Sequence, residues 1–135
     1  MKHTTLIKKA QAAKKHSHSP YSKFRVGAAL LTDSGKVFTG CNIENSSFSL
    51  TICAERTAIF KAISEGSRKF NALAIVSDSD DFIPPCGACR QVILDFAPAI
   101  DVILTNAKGK MLVLKAGALL PHPFTKTFLH RSSSK

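Results

Sequence analysis

The sequence predicts an α/β protein, a three-layer αβα sandwich around a five-stranded mixed sheet. Three observations lead there. Apolar residues switch between helical and strand spacing in the order α-β-β-α-β-α-β-β-α. Two pairs of β-rich runs are separated only by "DSG" and "AKGK", which makes each pair a hairpin of antiparallel strands. Between the hairpins stands a strand–helix–strand unit, whose crossover implies parallel neighbours in mid-sheet and helices on its faces.

In chain order, Thr4 to Lys15 reads as a basic helix with Leu6, Ile7, Ala10 and Ala13 on its inner face. "HSHSPYS" breaks it, because Pro20 disfavours helix before it and the serines favour turns. "FRVGAALLT" and "KVFTGCNI" form the first hairpin. Ile52 to Glu65 then repeats Ile52, Ile59, Ala62 and Ile63 at helical spacing, and Gly66 is placed to end that helix. "ALAIVS", residues 72–77, is a continuous apolar run, as a central strand buried on both faces requires. A helix from about Gly87 to Phe96 follows Pro85, and Pro98 stops it. "DVILTN" and "MLVLK" form the second hairpin, and a short helix or coil follows, with "SSSK" expected to fray.

At 135 residues, 44% of them hydrophobic, the chain supports one core, and no linker, repeat or low-complexity tract divides it. Residues 1–135 are therefore expected to form a single domain. There are 19 basic against 9 acidic residues, a formal net charge of +10. The cations are scattered: Lys2, Lys8, Lys9, Lys14 and Lys15 on the first segment, Lys108 and Lys110 at a turn, Lys126, Arg131 and Lys135 on the tail. Such scatter favours solubility rather than a binding stripe, so no nucleic-acid partner is expected. Met1 to Ala13 lacks the long apolar run of a signal peptide, and no segment approaches the roughly 20 apolar residues that cross a bilayer. A cytoplasmic location without membrane association is expected, where thiols stay reduced. The four cysteines then read as metal ligands or catalytic groups before they read as disulfides.

Cys53 falls at the start of one predicted helix, Cys86 and Cys89 at the start of another. Helix N-termini carry partial positive charge, which lowers thiol pKa values and favours the metal-binding thiolate. Three cysteines make a poor closed zinc site, whereas three ligands and an open position are the catalytic pattern. Glu55, two residues past Cys53, is offset from the ligand and free to lean over that open position. There a carboxylate takes a proton from water and later passes it to a leaving group. A zinc ion with three thiolates carries net negative charge, which weakens it as a Lewis acid. Arg56 is the neighbour best placed to offset this by donating to cysteine sulfur, with Arg90 as a second candidate. "CGAC" alone also suits a redox pair, but that leaves Cys53 and Glu55 unexplained. Cys41, inside a strand, reads as a small core residue. His3, His16, His18, His122 and His130 lie near the chain ends, and "HSH" reads as a loop.

"PYSKFRVGAAL", "GCNIENSSF", "CAERTA" and "PCGACRQV" together resemble the small, homotetrameric, zinc-dependent cytidine deaminases of pyrimidine salvage. The resemblance runs from about Tyr21 to Phe124, with the motifs in order. Zinc deaminases place a glutamate that is not a ligand ahead of a P-C-x-x-C pair. The resemblance implies one zinc ion per subunit on Cys53, Cys86 and Cys89, with Glu55 as proton shuttle. It implies that Asn42 and Glu44 hydrogen-bond the sugar of a nucleoside, that Phe24 packs on the pyrimidine, and that Ala54 offers it backbone contacts. It also implies a homotetramer whose sites are completed by neighbouring subunits, with Phe48 and Phe124 lent across the interfaces. The implied activity is that of a hydrolase, taking cytidine and 2′-deoxycytidine to uridine and 2′-deoxyuridine with release of ammonia. The chain departs from the family pattern at Phe48, where tyrosine is common, at Pro84, where a small polar residue is common, and in its basic tail.

Overall fold

The structure, a computed structural model, describes residues 1–129. The tail expected to fray, with His130, Arg131 and Lys135, lies outside the described residues. Helices α1 (His3–Lys14), α2 (Ala54–Ser64) and α3 (Gly87–Phe96) flank a sheet of β1 (Val26–Thr32), β2 (Val37–Cys41), β3 (Phe70–Ser77), β4 (Asp101–Thr105) and β5 (Met111–Lys115). The strand order is β2-β1-β3-β4-β5. β3 and β4, joined through α3, run parallel, and the other neighbours pair antiparallel, as the hairpin and crossover patterns require.

Side chains alternate between the two faces of the sheet, and each face has its own helices. Ala28, Leu30, Leu73, Ile75, Val102 and Leu104 pack under α2 and α3. Ala29, Leu31, Ala72, Ala74, Val76 and Ile103 pack under α1 through Leu6, Ile7 and Ala10. β3 is buried along most of its length, the state its unbroken apolar run anticipates. At the sheet edge, β5 leaves Met111, Leu112 and Val113 exposed.

Two glycines set the helices close against the sheet. A Cβ on Gly27 of β1 would collide with the backbone of Ala10 and Lys14 in α1. One on Gly40 of β2 would lie 2.5 Å from Ala54 O and 2.6 Å from Ala58 N, so α2 sits directly on that strand's backbone.

Register decides where the site lies. Val26, which opens β1, pairs with Ser77, which closes β3, and Gly27 pairs with Cys41, which closes β2. The segments entering β1 and leaving β2 and β3 therefore share one end of the sheet. α3 starts at that end, just beyond the carboxyl end of a parallel strand, where open α/β sheets form their ligand crevices.

Three expectations are adjusted. α2 begins at Ala54 rather than Ile52, because Ile52 exchanges backbone hydrogen bonds of 3.0 Å with Ile43 and Cys53 stays extended at φ −77°, ψ 155°. The final helix or coil resolves into short 3₁₀ turns at Ala116–Ala118 and Lys126–Phe128. Cys41 is half-buried rather than fully in the core, because it is the last residue of its strand.

Candidate active site

Cys53 and Cys86 are the N-cap residues of α2 and α3, and both are extended, so each thiol leaves its helix at the end where backbone N–H groups are free. Cys89 lies one turn into α3 and is fully buried. Sγ of Cys86 is 3.8 Å from that of Cys53 and 3.6 Å from that of Cys89, and the three sulfurs lie within 4.8 Å of one another. Zinc–sulfur bonds of about 2.3 Å at tetrahedral angles separate sulfurs by about 3.8 Å. The triangle therefore has the size and the donor chemistry of a zinc site.

These thiols do not ionise independently. The Cys53 thiol is held down at about 5, chiefly by a hydrogen bond from the Cys89 thiol, against the opposing effect of burial and with help from Arg56. The same hydrogen bond and burial push Cys89 up. A cation bound among the sulfurs would displace the remaining thiol protons. Arg56 Nη2 donates to Cys53 Sγ at 3.4 Å, as its position next to the ligand suggested. Its Nε is buried without a partner among the described residues, a donor still to be satisfied beside the sulfurs.

Glu55 is 5% exposed. Burial raises its carboxyl to about 7, and the Cys53 thiolate pushes the same way. A carboxyl poised near neutrality serves as acceptor and donor of one proton in turn.

Cys53, Cys86 and Glu55 face a cavity of about 290 Å³ that Phe24, Asn42, Glu44, Phe48 and Ala54 also line. Among the described residues, no lysine or arginine lines it. The side chains of Asn42 and Glu44 are fixed from behind. Asn42 Oδ1 accepts from Val26 N at 2.9 Å and from the Ser17 hydroxyl, while Nδ2 donates to Phe24 O at 2.8 Å. Glu44 Oε1 accepts from Tyr21 N at 3.0 Å and Ser22 N at 3.1 Å, and Oε2 accepts from the Ser22 hydroxyl. Led by the Ser22 hydroxyl, these donors hold Glu44 below the usual carboxylate range against the opposing effect of burial, with a smaller contribution from His18.

Residues 1–105 match the family described as the cytidine and deoxycytidylate deaminase zinc-binding region. The chain is 52% identical to the cytidine deaminase of Sporosarcina psychrophila over 90% of each chain. It is 51% identical to that of Halalkalibacterium halodurans over 89% of this chain and 92% of the relative. Its fold matches the crystal structure of cytidine deaminase from Burkholderia pseudomallei with a TM-score of 0.90 at 50% identity, over 92% of this chain and 100% of that one. The chain belongs to the cytidine and deoxycytidylate deaminase family.

Within this deaminase chain, Cys53, Cys86, Cys89, Glu55, Arg56, Phe24, Asn42, Glu44, Ala54 and Phe48 gather at one end of the sheet, and two candidates do not join them. Arg90 turns away from the sulfurs. Its Nε donates to Pro85 O and its Nη1 to Leu119 O, both at 2.8 Å, so it braces the ligand loop against the C-terminal segment. Phe124 lies over α3 beside a second cavity with Gln91, Asp95 and Phe96, and its ring stacks on Phe128 at 5.8 Å. Phe48 lines the first cavity edge-on to Tyr21 yet is 58% exposed, and Phe124 is 56% exposed. Sequence reasoning assigned no role to Ser22, Thr51, Ser77 or Ile83, which also line the cavity. Ser22 stands inside a quoted motif, but its partner Glu44 is a contact that spacing along the chain does not reveal.

Proposed function

We propose that this protein hydrolytically deaminates cytidine and 2′-deoxycytidine to the corresponding uridines, releasing ammonia. The observation that carries the proposal is the zinc-sized cysteine triangle next to a buried, near-neutral Glu55, in a cavity that also holds the polar pair Asn42 and Glu44. Cys53, Cys86 and Cys89 would hold a zinc ion, which when bound would supply Lewis-acid activation of water. Glu55 accepts a proton from the attacking water and donates it to N3 of the cytosine ring, then takes the proton of the new C4 hydroxyl and delivers it to the departing amine as the C4–N bond breaks. Arg56 stabilises the thiolates through Cys53. Phe24 packs against the pyrimidine, Ala54 meets its edge with backbone groups, and Asn42 and Glu44 hold the sugar hydroxyls. Leaving those buried polar groups unpaired penalises a base without its sugar.

The assembly we infer is a homotetramer in which Phe48 and Phe124 reach neighbouring subunits. In support, both are large apolar side chains more than half exposed on the single chain. A single deaminase domain acting in the cytoplasm completes the proposal, and the free state of all four cysteines fits a reducing compartment. Among the described residues no helix is long and apolar enough to cross a membrane.

The test is ammonia release by the zinc-loaded protein with cytidine, cytosine, CMP and a cytidine-containing RNA oligonucleotide side by side. Turnover of cytidine but not of cytosine is expected. Turnover of the oligonucleotide alone would move the substrate site to the basic surface. Glu55→Ala should keep its zinc while turnover falls by about 10²–10⁴-fold, the range for removal of a general acid–base; retained turnover rejects the shuttle role.

A further inference from the structure

We propose that Ser22 is a positioning residue, aiming the Glu44 carboxylate at a sugar hydroxyl of the nucleoside and tying that aim to the placement of Phe24. The inference rests on the sugar-holding role of Glu44. An ionised carboxylate has about four acceptor positions. Tyr21 N and Ser22 N occupy Oε1, and the Ser22 hydroxyl takes one position on Oε2. The position left for a ligand therefore belongs to Oε2, the oxygen that Ser22 touches. Glu44 and Ser22 both line the cavity. Without the hydroxyl, Oε2 loses the described partner that fixes its direction.

The same hydroxyl is pinned from the other side. Ser22 Oγ accepts from Phe24 N at 3.0 Å, which turns its proton toward Glu44. The backbone pays for this arrangement at Lys23, whose φ of 60° lies in the left-handed region that non-glycine residues rarely adopt. Lys23 N is held by Ser19 O at 3.0 Å. That kink lets the residues on either side of Lys23 serve two ends of a ligand, Ser22 through Glu44 at the sugar and Phe24 at the base. Base and sugar recognition are thereby joined through one side chain that need not touch substrate itself.

The experiment measures kcat and KM of zinc-loaded wild type, Ser22→Ala and Ser22→Thr on cytidine and on 2′,3′-dideoxycytidine, which lacks the sugar hydroxyls in question. Ser22 is exposed, so truncation leaves no buried void. Ser22→Ala should raise KM for cytidine about tenfold, the loss of one hydrogen bond to a charged group, with kcat and zinc content within about twofold. On the dideoxynucleoside the same variant should match wild type within about twofold, because an aimed Glu44 has nothing there to receive. Ser22→Thr, which retains a hydroxyl, should bring cytidine KM back toward wild type. Equal losses on both substrates, or unchanged discrimination between them, overturn the role of Ser22. If wild type itself does not distinguish the two nucleosides, the sugar-holding role of Glu44 fails first, a separate result.

Discussion

Arg56 is the residue that sets a positive charge against the cysteine sulfurs. Its guanidinium donates to Cys53 while its buried Nε waits for a partner. Arg56→Gln removes the positive charge and keeps some donor capacity, which separates electrostatics from packing. Zinc affinity, read by competition with a chromogenic chelator, should fall about 10–100-fold, the usual effect of losing a group that supports a metal ligand. Arg56→Lys should lose less, because charge survives while the planar fork does not. Equal affinity in all three proteins would leave Arg56 a packing residue. The cysteine cluster was legible in the sequence because a cysteine two residues before a glutamate and a C-x-x-C pair are the residue types that this chemistry demands. Arg56 was legible because it adjoins a ligand. Ser22 and the turning away of Arg90 were not, since both depend on carbonyls and carboxylates from segments distant in sequence.

At the scale of elements, the site depends on how closely α2 sits on β2 and how firmly α1 is clasped to the sheet. Gly40→Ala places a methyl group 2.5 Å from Ala54 O, against backbone that cannot rotate away. α2 must lift at its first turn, which carries Cys53, Ala54 and Glu55. Stability should fall by about 1–3 kcal/mol on urea unfolding, as overpacking does, and zinc retention should fall with it. The clasp is Asp78, just past β3, which accepts from Arg25 Nε and Nη2, each at 3.0 Å, and pairs with Lys14 Nζ of α1 at 3.0 Å. Arg25 leads in holding its carboxyl far below the usual range. A depressed carboxylate contributes stability that is complete above its unfolded value of about 3.9 and fades as pH falls through the lower folded value. Asp78→Asn should therefore cost about 1 kcal/mol at pH 7, a modest figure for a partly exposed pair, and the gap should close below about pH 4. A gap that persists unchanged at pH 2 would mean packing, not charge, holds the clasp. The helices and strands themselves were foreseeable from periodicity. The start of α2 was not, because Ile52 has helical spacing but is claimed by a backbone bridge to Ile43.

At the scale of the whole molecule, the formal charge of +10 and the cavity are separate matters: among the described residues no lysine or arginine lines that cavity, so the charge does not select the ligand. The large side chains that the single chain leaves more than half exposed include Phe48 and Phe124. Phe124 sits away from the cavity, and a fold pattern read from one chain carries no signal of what a second copy brings. If sites are shared, two damaged subunits should repair one another. Phe124→Ala leaves the subunit's own cysteines and Glu55 intact, and its turnover should drop about tenfold or more, as loss of an aromatic anchor at an interface does. Glu55→Gln keeps Phe124 but lacks the proton carrier. Unfolded together and reassembled with zinc, the two variants should form mixed assemblies in which an intact Glu55 meets an intact Phe124 from its neighbour. Activity of the mixture should then exceed the sum of the separately reassembled variants, peaking near equal amounts. A mixture that never rises above that sum, while native mass spectrometry shows mixed assemblies, would place each site wholly within one chain and leave Phe124 an anchor of its own C-terminal segment against α3.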